Sequence, residues 1–222
     1  MSLPQPAATV AILNDDLQSL KILMVQRHQN LANAGGAWAF PGGRVEDDDY
    51  LDTDDHFLAA QNAAVRETIE ETGLCLDKDS LQAFAHWTTP PGPRRRFATW
   101  FFLTSITSPP EVRVDGEEIV DHCWLSPDEV LERHRQGRMQ ITPPGFVTLH
   151  RLRQHQNSDE ALREFSQHEL VHYNPKLVKT EQGRTIFYEG DAGYRNADVN
   201  AEGARNRIVM VGNEWQYHNT LI

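Results

Sequence analysis

What this chain has little of narrows its chemistry. Its 222 residues hold only two cysteines, Cys75 and Cys123, at a spacing that makes neither a disulfide framework nor a zinc site. Both read as reduced thiols in or near the core of a cytosolic, hence cytoplasmic, protein. No run approaches the roughly 18 apolar residues of a bilayer-crossing helix, so no membrane partner is expected. Met1 to Ala8 carry neither the basic nor the apolar region of a secretory leader. Positive charge is scarce as well: 21 Lys and Arg against 32 Asp and Glu leave a net charge of −11. Such a surface repels a nucleic-acid duplex. A small anion would dock only through metal ions and a local basic cluster, and Arg94-Arg95-Arg96 is the densest one present. The ten histidines are scattered without a zinc spacing.

What remains is the composition of a soluble globular chain, 39% hydrophobic and 24% charged. The length fits one domain with an extension: residues 1–170 as the main domain and 171–222 as a β-rich extension packed on it. Alternation and turn signals predict strands over 8–13, 22–26, 81–88, 97–103 and 118–125, with a turn at Asn14-Asp15-Asp16 and a rigid Pro90-Pro91-Gly92-Pro93 loop. A helix is expected with its N-cap among Asp52 to Asp55, a buried stripe of Phe57, Ala60, Ala64, Thr68 and Thr72, and Gly73 just past its end. Ser126-Pro127-Asp128-Glu129 opens another, with Ser at the N-cap, Pro at the first position and Glu at the third. Thr142-Pro143-Pro144 and Ser158 open two more. From Val171 onward the chain reads as a ribbon, with strands over 184–189, 207–211 and 215–221. Strands that alternate with helices but also form hairpins predict a mixed sheet.

The chemistry is concentrated in Arg66-Glu67-Thr68-Ile69-Glu70-Glu71-Thr72-Gly73-Leu74. On a helix, Glu67, Glu70 and Glu71 fall at i, i+3 and i+4, within roughly 100° of arc. Like charges so close repel unless a cation sits among them. Hard divalent cations such as Mg²⁺ favour carboxylate oxygens, often alongside substrate phosphates. The plainer alternative is a solvated acidic face near a helix end.

This stretch resembles the core of the Nudix box, REUxEExGU with U apolar, and Phe40-Pro41-Gly42-Gly43 precedes it as in Nudix proteins. The chain departs from the pattern in two places. Twenty-two residues separate Gly43 from Arg66, nine more than the usual thirteen, and an acidic loop from Glu46 to Asp55 fills the difference. The box's first glutamate would fall at Leu58, so the partner of Arg66 is missing or comes from the loop, with Glu46 as the candidate. Thr68 also stands where the box is usually apolar.

Two further resemblances address the substrate. Arg27, Gly36 and Phe40-Pro41-Gly42-Gly43 match the segment that precedes the box in coenzyme A diphosphatases, whereas Met24, Val25, His28 and Ala32 do not. His86-Trp87-Thr88-Thr89-Pro90 and Arg95-Arg96-Phe97-Ala98-Thr99-Trp100-Phe101-Phe102-Leu103 are similar to a signature of Nudix-19-type acyl-CoA diphosphatases. That type also lengthens its box at this point. Glu118, Trp124-Leu125-Ser126-Pro127, Pro143-Pro144, Leu149 and Gly190-Asp191 through Tyr194 follow in the same order.

The resemblance implies the α+β Nudix fold, a mixed sheet sandwiched between helices. It implies metal-dependent hydrolysis of a diphosphate in a nucleoside diphosphate derivative, with Mg²⁺ or Mn²⁺ held by Glu67, Glu70 and Glu71. Glu67 or Glu71 would take the proton of the attacking water, and Arg66 would hold the glutamates in register. A carbonyl of Gly42 or Gly43 would add a ligand, and Glu118, in preference to Glu117, a further carboxylate. The alternative for those two is a surface turn, Asp115 to Glu118. Arg27, Arg94, Arg95 and Arg96 are the phosphate-binding candidates, against a solvated loop with one useful arginine. Trp38 and Trp100 would stack on a base or fill the core. CoA or acyl-CoA, cleaved to 3',5'-ADP and (acyl-)phosphopantetheine, is the leading substrate. ADP-ribose or another nucleoside diphosphate is the second, and a non-catalytic nucleotide sensor the third reading. Homodimers are common among such proteins, and the tail is a candidate interface or cap.

Overall fold

The computed structural model describes every residue except 1–2, 16–18, 93–94, 109–110 and 222. Asp16 of the expected turn, Pro93 and Arg94 lie outside the described residues.

Successive buried apolar residues in a strand require cover on both faces of the sheet, because neighbours point in opposite directions. The first strand, β1 (Gln5–Asn14), has this character: Val10, Ala11, Ile12 and Leu13 are all fully buried. Val10 and Ile12 belong to one apolar cluster, Ala11 and Leu13 to the other. β1 is accordingly central. It runs parallel to β6 (Phe97–Ser105) and antiparallel to β2 (Lys21–Arg27) and β4 (Gly42–Arg44). Beyond β2 lie β3 (Trp38–Ala39) and β7 (Ile119–Leu125); beyond β6 lie β5 (Gln82–Thr88) and β8 (Val171–Tyr173). The sheet is mixed, as expected.

Helix α1 (His56–Thr72) covers one face, with Ala60, Ala63 and Ala64 against Val10, Ile12 and Phe102. The other face carries α2 (Pro127–Arg135), α3 (Pro143–Leu152) and α4 (Ser158–Gln167), which bury Val130, Phe146, Leu149 and Phe165. Local signals place these helices. Asp55 accepts the Phe57 N–H, and Gly73, at φ 71°, ends α1 with its N–H on the Ile69 carbonyl. Of the expected stripe, Ala60, Ala64, Thr68 and Thr72 are buried and Phe57 is half-buried. Thr68 is tolerated there because its hydroxyl donates to the Ala64 carbonyl at 2.7 Å. Ser126 and Glu129 form the capping box of α2.

Two expectations change. Val171–Tyr173 does not open the ribbon; it extends the main sheet by pairing parallel with β5. The second sheet starts at β9 (Lys176–Lys179) and continues through β10 (Arg184–Phe187), β11 (Asn206–Val211) and β12 (Glu214–Asn219), all antiparallel. Its aromatics meet the first sheet and its helices: Tyr188 packs edge-on to Trp87 at 5.3 Å, and Trp215 meets Phe146 at 5.3 Å. Cys75 is exposed rather than near the core, while Cys123 is half-buried and burial pushes its thiol up to about 11.

Candidate active site

Arg66 organises the site. Its Nε donates to Asp49 Oδ1 at 3.1 Å and its Nη2 to Asp49 Oδ2 at 3.0 Å, a bidentate pair. Nη2 also reaches the Arg44 carbonyl, and Nη1 donates to Glu67 Oε1 and Glu70 Oε2, each at 3.0 Å. One guanidinium thus links the acidic loop, the strand before it and two of the three glutamates. The hydrogen bonds to Asp49 are the main cause of its raised pKa.

Sequence reasoning missed Asp49. It lies in a single 3₁₀ turn (Asp47–Tyr50) within the loop insertion, and it also accepts the Glu46 N–H at 2.8 Å. Glu46 does not hold Arg66; its carboxylate faces Arg44 at 3.4 Å on the surface. The available signal was the run Glu46-Asp47-Asp48-Asp49, but which acid folds back depends on the turn.

The glutamates differ sharply in environment. Glu70 is exposed, Glu67 half-buried and Glu71 buried. Glu71 Oε2 accepts the Gly42 N–H at 2.8 Å. Gly43 lies so near Glu67 that a Cβ there would stand 2.4 Å from the carboxyl carbon. Gly42, at φ 144°, would place a Cβ 2.2 Å from the Ala8 carbonyl oxygen. Glycines therefore let the backbone of β4 lie directly against the acids of α1. Burial raises the Glu67 carboxyl and pushes Glu71 up to about 8; the charge of Glu118 pushes both the same way, as do Glu70 on Glu67 and Glu67 on Glu71.

A cleft of about 480 Å³ gathers Glu67, Glu70, Glu71, Gly42, Gly43 and Arg66 with Arg27, Arg95, Glu117 and Glu118. The loop that brings Glu118 is tied down by Asp115, whose Oδ1 accepts the N–H groups of Glu117 and Glu118 at 2.6 Å each. Arg27 is half-buried and Arg95 exposed. Arg96 turns elsewhere: its Nε donates to the Thr89 carbonyl at 2.9 Å and braces the loop between β5 and β6. Arg94 is outside the described residues. Trp38 is half-buried against the core, and half-buried Trp100 packs on Phe57 at 5.0 Å.

The donor set fits a divalent cation. Seven carboxyls line one cleft, and the two most buried, Glu67 and Glu71, are held back from ionising by desolvation and by the charge of neighbouring glutamates. A cation among them reverses both effects. Among the described residues no three side chains are already gathered into a metal cage. Arg66 Nη1 bridges Glu67 and Glu70 instead, and a bound cation would compete with it for those oxygens.

A mixed sheet between helices, with an acidic helix lying against a glycine pair, is the architecture of a Nudix protein. The NUDIX domain model matches residues 3–143, and the chain belongs to that family. It is 29% identical over 144 residues to the acyl-coenzyme A diphosphatase NUDT19 of Gallus gallus, across 56% of this chain and 38% of that protein. With the Homo sapiens protein of the same name it shares 37% over 75 residues, 33% of this chain and 20% of the relative. Well under half of either relative is thus spanned. A NUDIX hydrolase structure from Alicyclobacillus acidocaldarius superposes with a TM-score of 0.67 at 23% identity, over 73% of this chain and 97% of that one. At that identity the likeness to the solved structure shows the Nudix fold.

Proposed function

We propose that this chain hydrolyses the diphosphate linkage of a nucleoside diphosphate derivative with a divalent cation, Mg²⁺ or Mn²⁺. We take CoA or acyl-CoA as that derivative, cleaved to 3',5'-ADP and (acyl-)phosphopantetheine. The observation that carries the reading is the cleft itself: Glu67, Glu70, Glu71 and Glu118 line it together with Arg27 and Arg95. The similarity to two relatives named acyl-coenzyme A diphosphatase supports the substrate.

Divalent cations held by Glu67, Glu70, Glu71 and Glu118 would neutralise the diphosphate and acidify water. The chain's own groups do the rest. Arg27 and Arg95 bind phosphate oxygens. Water attacks phosphorus, its proton passes to a carboxylate, and the bridging P–O bond breaks with its electrons on the departing phosphate. Glu67 and Glu71 are the two proton acceptors available. Gly42 N–H engages Glu71 Oε2, which leaves Oε1 as the accepting atom of that residue. Arg66 is a positioning residue, fixing Glu67 and Glu70 against Asp49.

A substrate panel of CoA, acyl-CoA, dephospho-CoA, ADP-ribose, NADH and FAD, assayed with Mg²⁺ and Mn²⁺ and with products identified, tests the reading. The highest kcat/KM is expected on a CoA compound, with 3',5'-ADP released. Faster cleavage of ADP-ribose would reject CoA but keep the reaction class. A non-catalytic nucleotide sensor would cleave nothing on the panel.

A further inference from the structure

A second cavity, of about 500 Å³, adjoins the carboxylate cleft. Arg27, Gly42, Gly43, Arg95 and Phe97 line both. Beyond that shared mouth its character changes. Met24, Trp87 and Phe101 supply the lining from the main sheet, and Phe40 from the link between β3 and β4. Pro175, Leu177, Ile186 and Tyr188 supply it from the C-terminal extension, outside the residues matched to the NUDIX domain. Leu177 stands out: it is a large apolar side chain left 47% exposed on a strand whose other residues include two lysines. Exposed apolar surface continuous with a functional cleft marks a binding surface.

The lining excludes some occupants. A sugar or second nucleotide would give up hydrogen bonds to water there with few replacements. An alkyl chain would gain by leaving water. Two donors lie buried in the lining residues, Trp87 Nε1 and Tyr188 Oη, and neither has a hydrogen-bond partner among the described residues. A carbonyl entering beside the chain would offer an acceptor after a small side-chain movement.

We propose that this cavity takes the acyl tail of the substrate, entered through the cleft that holds the diphosphate, and that the C-terminal sheet sets the preference for that tail. The proposal rests on the CoA reading above and adds to it the place of the acyl chain and the part of the chain that selects it. The occupant is an apolar chain joined through a carbonyl to the non-nucleotide half of the diphosphate.

The test compares the full chain with Leu177→Glu and Leu177→Ala, on CoA and on straight-chain acyl-CoA of increasing length, each variant first checked by its thermal transition. In the unaltered protein kcat/KM rises with chain length until the cavity is full. In Leu177→Glu the ratio of kcat/KM for a medium-chain acyl-CoA to that for CoA falls about tenfold or more, the scale set by one apolar side chain's contact. Leu177→Ala falls less. A ratio unchanged in both variants, with CoA and acyl-CoA still cleaved, would overturn the acyl site and leave the proposed function standing. Cleavage of neither compound by the unaltered protein would remove the CoA reading and this inference with it, leaving the reaction class to the wider substrate panel.

Discussion

Arg66 takes its firmest hold from Asp49, whose side chain is only 3% exposed, while Glu70 on the same guanidinium is 57% exposed. That contrast separates structure from chemistry among acidic residues that look alike in sequence. Replacing Asp49 with Ala leaves a half-buried guanidinium without its bidentate partner and should cost about 3 kcal/mol in urea denaturation. Glu46→Ala, on the surface, should stay within about 0.5 kcal/mol; equal costs would mean that the loop acid was misassigned. Glu70→Gln should lower kcat on the order of 10²–10³-fold with the denaturation midpoint unchanged, and retained turnover would remove Glu70 from the reaction. Tyr188→Phe removes a buried hydroxyl without a partner among the described residues and should be neutral or stabilising by about 1 kcal/mol in thermal unfolding. The three glutamates were legible because helix periodicity alone sets their common face. Asp49 was not, because its reach to Arg66 depends on a 3₁₀ turn 17 residues upstream.

At the scale of elements, the site is made by β4 lying against α1. Gly43 is the point of closest approach, and a Cβ there would push the Glu67 carboxylate aside. Gly43→Ala should therefore lower kcat by about 10²-fold, the loss typical of a catalytic group moved by about 1 Å. The thermal transition should barely change, since the displaced atoms are the end of a flexible side chain. Loss of folding instead would show that Gly43 serves the sheet rather than the site. The long elements were readable from sequence: α1 from Asp55, its alanines and Gly73, and α2 from Ser126 and Glu129. The short strands β3, β4 and β9 were not, having two, three and four residues. Segments that short show no period and pair only because neighbouring strands present a free edge.

At the scale of the whole molecule, two sheets share an aromatic layer. His134, Phe146 and His150 from the helices meet Trp215 and Tyr217 from the C-terminal sheet. Burial, with the nearby Arg153, pushes His150 down to about 4 from 6.5, and burial lowers His134 too. A histidine kept neutral in the fold gives its full stabilisation above pH 6.5. That stabilisation is lost as pH falls toward 4, because the unfolded chain takes up the proton more readily. Thermal transitions recorded across this window should decline, and His150→Gln should decline less steeply; parallel curves would mean that His150 titrates normally. The parallel pairing of β8 with β5 and the packing of Tyr188, just past β10, on Trp87 were illegible, because contacts between segments so far apart leave no local pattern. The proposed reaction depends on cations held by the cleft. Calorimetric titration of Mn²⁺ into the full chain with a non-hydrolysable nucleotide diphosphate present should show saturable uptake, much weakened in Glu70→Gln. No uptake in the unaltered protein, or equal uptake in both, would contradict it.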